Sequence, residues 1–284
     1  MTWLSELFQW MMVVKVAVAV VMVVGLSALA EVVSPRLAGV LSGYPLGAAI
    51  SLFFMGLEIS PEFAAQSAVY TMTGLVATQM FAYGYYRVST ISLQLHKTRG
   101  MAGATVGGLA AYFLTTWLFR QVPLTRWWAL SIAAASIFLF TMLFRKARNV
   151  RIQKRVPLTF TVLLFRSLIA GLFVVVITST AKLVGPRWAG LFAAFPITML
   201  PFVMIIHHTY QPEHVHAILK NVPRGLGSLL VYALAVSLFY PANGVFQGTL
   251  IAYGFATVYM VLLQGLVGVR GRIDYGGRAE DRSH

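Results

Sequence analysis

The chain contains no cysteine, which excludes disulfides, thiolate metal sites and cysteine nucleophiles and leaves the redox compartment unspecified. Charge is scarce as well: 11% of the 284 residues are charged, against about 25% in a soluble globular domain. Acidic residues are scarcest, 8 in all, with no aspartate before Asp274. A P-loop, a GxSxG nucleophile turn and paired aspartates are all missing, so enzymatic catalysis has little to stand on and no cofactor is expected.

Hydrophobicity takes the place of charge. Apolar residues make up 58% of the chain and the mean hydropathy is +0.77, the composition of a polytopic membrane protein. Apolar runs of spanning length fall at about 11–30, 37–57, 64–86, 102–119, 127–144, 157–181, 188–206, 224–240 and 244–268. They predict an all-α fold of about nine transmembrane helices. A β-barrel would need alternating segments of about ten residues, whereas these runs are continuous. The first run lacks a small-residue cleavage site followed by a soluble domain, so it is expected to be retained, with the mature chain starting at Met1.

The net charge of +14 is concentrated in alternate loops. With "RKARNVRIQKR" (145–155) in the cytoplasm, the segments 31–36, 87–101, 207–224 and the tail 269–284 join it there, and together they hold 16 of the 22 Lys and Arg. The positive-inside rule accounts for this without nucleic acid. It predicts a bacterial inner-membrane protein with its N-terminus outside and its C-terminus cytoplasmic.

The chain also repeats itself. "SPRLAGVLSGYP" at 34–45 returns as "GPRWAGLFAAFP" at 185–196, an offset of 151. The same register pairs Lys15 with Arg166, Glu31 with Lys182, Pro61 with Pro212 and Glu62 with Glu213. At an offset of 141, Gly103, Gly107, Leu109, Ala111, Tyr112 and Thr116 meet Gly244, Gly248, Leu250, Ala252, Tyr253 and Thr257. Self-similarity of this order implies duplication. Four helices (11–119), one linker helix (127–144) and four more (157–268) would place the second unit upside down, the inverted-repeat plan of many alternating-access transporters.

Each half resembles the GlpM family of small bacterial inner-membrane proteins, which have an early Lys, a charged residue about 16 positions on, and an "AG…FP" segment. Here those positions are Lys15, Glu31, Ala38, Gly39 and Pro45, and again Arg166, Lys182, Ala189, Gly190 and Pro196. The resemblance implies a transporter-like role linked to glycerol metabolism or exopolysaccharide production, and no particular substrate.

Several residues are candidates for function. Arg36 and Arg187 follow a proline at a helix start, where guanidinium and free amides together attract an anion; snorkelling to phospholipid headgroups is the alternative. Lys15 and Arg166 lie 20 residues before those prolines, about 30 Å along a helix. They are either buried and functional or interfacial. Glu31 is the expected proton-coupling carboxylate, or else a salt-bridge partner of Arg36 worth at most about 1 kcal/mol.

Pro45, Pro196 and Pro201 are expected to kink helices 2 and 7 and free backbone groups for substrate, with Tyr44 and Phe195 as aromatic walls. The GxxxG pairs Gly103/Gly107 and Gly244/Gly248 suit packing between helices 4 and 9 or their neighbours. Glu62 and Glu213 suit helix starts. His207, His208, His214 and His216 form a cluster that suits a divalent metal or pH sensing, without a strong metal signature.

The leading expectation is a secondary transporter of a small anionic solute. A lipid-headgroup translocase, a non-transporting partner of an envelope-biogenesis machine and a divalent metal carrier are the alternatives. The bilayer, the solute and, where the chain self-associates, a second copy are the partners expected.

Overall fold

The computed structural model describes residues 10, 12–18, 20–21, 44–92, 96–146, 160–197, 199–209 and 212–280. Every α-helix or longer element among them is helical: α1 (12–18), α2 (Leu46–Glu58), α3 (Pro61–Ile91), α4 (Lys97–Gln121), α5 (Arg126–Leu143), α6 (Phe160–Ala193), α7 (Met199–Thr209), α8 (Pro212–Leu219) and α9 (Val222–Glu280), with a short 3-10 turn at Phe144–Lys146. Four stretches, Lys97–Gln121, Arg126–Leu143, Ser167–Ala193 and Pro212–Leu263, are long and apolar enough to cross a membrane. Their outer faces fit that solvent. On α4, Val106, Phe113, Leu114 and Trp117 are exposed, while Ala104, Gly108, Tyr112 and Thr115 at helical spacing are buried. Apolar surface of that extent is unusual on a soluble monomer.

Two glycines turn long helices into hairpins. Gly185 has φ 79° and Gly244 φ 73°, a backbone region that L side chains rarely enter. Across Gly185 the chain reverses, so that Phe173 stacks on Phe195 at 5.1 Å. Across Gly244, Phe239 meets Phe255 at 5.9 Å and Tyr232 meets Tyr253 at 4.9 Å. Gly244 is thus a turn rather than a packing residue of a GxxxG pair. The other glycines of these pairs seat each helix on its sequence neighbour: Gly107 faces Val88 of α3, and Gly248 faces Tyr240 on the other arm of α9.

The prolines begin helices instead of kinking them. Pro45 is the N-cap of α2, Pro196 lies in the break between α6 and α7, and Pro201 is in the first turn of α7. A proline has no N–H to donate and its ring clashes with the carbonyl four residues back, so the first turn is where it fits. The run expected to form a single helix at 188–206 is therefore two helices. Within the supposed loop at 207–224, α8 forms a further short helix, starting with Pro212 and Glu213. α3 starts as expected, with Ser60 Oγ accepting from Phe63 N at 3.1 Å and Pro61 and Glu62 in the first turn.

α3 is the central post, packed by α2, α4, α5, α6, α8 and α9. Protein surrounds it, which explains why it tolerates Ser67, Thr71, Thr73, Thr78, Gln79 and Ser89 as buried side chains. Thr71, Thr73, Thr78, Gln79 and Ser89 are held by hydrogen bonds, as buried polar groups usually are, while Ser67 Oγ finds no partner among the described residues. Gln79 Nε2, for example, donates to Ser136 Oγ of α5 at 2.8 Å.

Candidate functional site

The strongest constellation is ionic and buried. Lys15 is 2% exposed, and its Nζ lies 2.8 Å from both carboxylate oxygens of Glu58. Of the two, Oε2 accepts a hydrogen bond, and a second goes to Thr178 Oγ1 at 2.7 Å, which itself donates to Val174 O at 2.8 Å. The Phe54 ring completes the shell, with its centroid 5.7 Å from Nζ. Three elements therefore meet on one ammonium: α1 supplies Lys15, α2 supplies Glu58 from its last turn, and α6 supplies Thr178. Beside it, α1 lies so close to α6 that a Cβ added to Gly171 would stand 3.4 Å from the Val16 Cα. A lysine reaching the interface would be exposed; this one is turned inward, so of the two positions open to it in the sequence it occupies the buried one.

Glu58 escaped the sequence reading because it closes an apolar run and sits just before the conspicuous "SPE" helix start. The repeat held the missed signal: at an offset of 151, Glu58 faces Thr209. Position 58 thus carries a carboxylate for Lys15, and position 209 carries a neutral hydroxyl. Glu31 and Arg36 lie outside the described residues, as does the side chain of Arg166.

Two aromatic seams join the halves. Tyr44, ahead of α2, stacks on Tyr253 at 5.8 Å and shares a 3.0 Å hydrogen bond with Thr257. Phe195, ahead of α7, meets Tyr112 edge-on at 4.9 Å. Tyr44 and Phe195 are equivalent at the first offset, and Tyr112 and Tyr253 at the second. The contacts are therefore reciprocal across the two offsets: Tyr44 packs on Tyr253 and Phe195 on Tyr112.

Several carbonyls at the break beside Pro196 are already engaged. Thr71 Oγ1 donates to Gly190 O at 3.0 Å, Tyr112 OH to Leu191 O at 2.7 Å and Thr78 Oγ1 to Ala194 O at 2.6 Å. Pro196 O already accepts from Leu200 N at 2.9 Å. Hydroxyls from α3 and α4 thus satisfy the carbonyls that an unbroken helix would have used. Pro45 O likewise accepts from Ala49 N at 3.0 Å.

Arg187 lines a cleft of ≈ 370 Å³ with Arg120, Gln121, Val184, Gly185, Pro186 and Trp188. Its Nη1 donates to Arg120 O at 3.3 Å and its guanidinium lies 5.8 Å from the Tyr70 ring, while Arg120 covers the Trp188 ring at 5.2 Å. Two cations thus border one opening beside the Gly185 turn.

The histidines point elsewhere. His207 Nδ1 pairs with Tyr85 OH at 2.8 Å, and His216 Nε2 with Ser89 Oγ at 2.7 Å. Both are buried against α3, whereas His208 is exposed and His214 half-buried. Among the described residues, no group of three or more His, Asp or Glu is placed to hold a metal. No family model, curated protein or solved structure matches this chain.

Proposed function

We propose that this chain is a secondary transporter that moves a small anionic solute across the bacterial inner membrane between two inverted four-helix units. The observation that carries the reading is the reciprocal pair of aromatic seams, Tyr44 on Tyr253 and Phe195 on Tyr112. If residue i of one unit meets residue j of the other, a two-fold relation requires the reciprocal contact as well. Such a pseudo-two-fold between halves is the frame on which alternating access operates.

Charge supports the choice of an anion. Arg120 and Arg187 border the cleft at one end of the bundle, and Arg36 is the sequence counterpart of Arg187. At the other end Arg145 and Lys220 meet, Lys220 Nζ donating to Arg145 O at 3.5 Å. That contact fits the orientation with the segments 145–155 and 207–224 in the cytoplasm and the C-terminus inside. The resemblance of each half to the GlpM family is in keeping with a transporter-like role.

The test is thermal unfolding of the purified chain with inorganic phosphate, sulfate, small carboxylates, phospholipids and divalent metals. An anion bound only by the folded state, at 100 times its Kd, adds about 2.7 kcal/mol. One soluble anion should raise the midpoint, and Arg120→Gln/Arg187→Gln should abolish that rise without lowering the ligand-free midpoint. A response to phospholipid alone would favour headgroup translocation instead, because two arginines beside a tryptophan also suit a lipid phosphate. A folded protein that answers to no ligand would sink both readings.

A further inference from the structure

The buried ion pair is more than the packing of a membrane bundle requires. Replacing such a pair by apolar residues of similar volume is often neutral or stabilising, and in a bilayer an ionisable side chain away from water usually marks a functional pathway. Here the two partners are unequally placed. Lys15 is 2% exposed and Glu58 20%, so the carboxylate is the less enclosed member of the pair and the ammonium the more deeply sealed.

We infer that Glu58 is the proton-binding carboxylate of this protein, that Lys15 is its internal counter-ion, and that proton binding releases α1 from the interface of α2 and α6. The inference deepens the transporter reading and rests on it in one respect: it names the coupling ion as the proton and moves the coupling role from Glu31 to Glu58.

The step balances simply. A proton from water bonds to a carboxylate oxygen of Glu58, and no other bond to hydrogen is broken within the protein. Lys15 keeps its three protons and its charge, with Thr178 Oγ1 and the Phe54 ring left as its company. A lone ammonium in an apolar layer is unfavourable, so Lys15 must reach water, and reaching water means moving α1. When the proton leaves, the pair re-forms and α1 returns. One group thus has two discrete arrangements with different charge, the element that coupling requires.

Among the described residues, no other charged or titratable group takes the place of the pair. Glu62 on α3 is exposed, Lys182 on α6 is exposed, and Tyr240 of α9, which approaches α2 at Gly56, is bonded to Thr249 at 2.7 Å. The second unit has Thr209 where the first has Glu58, so one proton site per chain is expected.

The chain's lack of cysteine makes the test direct. Val174 is fully buried against Ile50 and Phe54, one turn from Thr178, and Ala77 is fully buried in α3. Val174→Cys and Ala77→Cys are each made in the full-length chain, alone and with Glu58→Gln, and treated with a membrane-impermeant maleimide in nanodiscs at one pH. Glu58→Gln mimics the protonated carboxyl, so it should speed labelling at position 174 about tenfold or more and leave position 77 unchanged, because labelling tracks the open population. Lys15→Met/Glu58→Leu should return position 174 to slow labelling. Unchanged labelling at 174 in Glu58→Gln makes the pair a static clamp and overturns the inference.

If position 77 rises equally, the variant has unfolded, and infrared titration of the unmutated chain decides. A protonated-carboxyl band that grows on acidification and is missing from Lys15→Met/Glu58→Leu upholds the inference; no such band overturns it. Flux of inorganic phosphate or a small carboxylate into proteoliposomes separates the two readings. Flux indifferent to a pH gradient, with no labelling response, removes the proton site and leaves transport standing. A labelling response without anion flux does the reverse.

Discussion

Removing either charge of the Lys15–Glu58 pair should destabilise the protein, but not equally. Glu58→Gln strands an ammonium that is 2% exposed, whereas Lys15→Met strands a carboxylate that is 20% exposed. Breaking a buried pair from one side costs about 3–5 kcal/mol; Glu58→Gln belongs at the upper end and Lys15→Met at the lower. At about 2–4 °C per kcal/mol for a chain of this size, the thermal midpoint should fall by roughly 10–20 °C and 6–12 °C respectively. Whatever part of the first loss α1 relieves by moving would appear as thiol labelling at position 174 instead. Lys15→Met/Glu58→Leu removes both charges and should lie within about 1 kcal/mol of the unmutated chain or above it. Midpoints are compared in nanodiscs at one scan rate, since unfolding of such proteins is often irreversible. A double variant as unstable as Glu58→Gln, or Lys15→Met worse than Glu58→Gln, would refute the reasoning.

Further outcomes follow from the packing. Gly190→Ala drives a Cβ into the Ser67 carbonyl of α3 and toward Tyr70, and should cost about 1–3 kcal/mol or more, read as a lower midpoint. His207→Ala leaves the buried Tyr85 hydroxyl without its imidazole, at about 1–3 kcal/mol, and His216→Ala should cost less because Ser89 Oγ keeps its bond to Tyr86 O. Neither replacement should change the response to divalent metals, a point checked by repeating the thermal scans with and without them. Tyr112→Phe keeps the aromatic seam but loses the bond to Leu191 O. It should therefore cost about 1–3 kcal/mol, while Phe195→Ala, which empties the seam, should cost about 3–5 kcal/mol.

How far the sequence reveals this molecule depends on the residue. Helices are legible from the apolar runs, and the start of α3 from Ser60, Pro61 and Glu62, because both signals are local. Gly185 and Gly244 are visible as glycines, but that they reverse the chain is a matter of backbone angle, which composition does not carry. The proline breaks were misplaced for a similar reason: Pro45 and Pro196 lie inside apolar runs, and hydropathy counts residues without asking where a missing N–H can be tolerated. Lys15 stands out as a lone cation, yet its burial depends on Glu58 and Thr178, 43 and 163 residues away. The reciprocal seam could be suspected from the two offsets, but only contact pairs Tyr44 with Tyr253. His207 and His216 look like metal ligands in a row, and the helical turn and the hydroxyls of α3 divide them.

The central claim is tested most directly by anion flux. The purified chain is placed in proteoliposomes, and uptake of the soluble anion that raised its thermal midpoint is followed with and without an inward proton gradient. Uptake should be saturable and accelerated by the gradient, should fall in Arg120→Gln/Arg187→Gln and should lose its dependence on the gradient in Glu58→Gln. A folded, anion-binding protein that carries none of that anion across the bilayer would contradict the central claim.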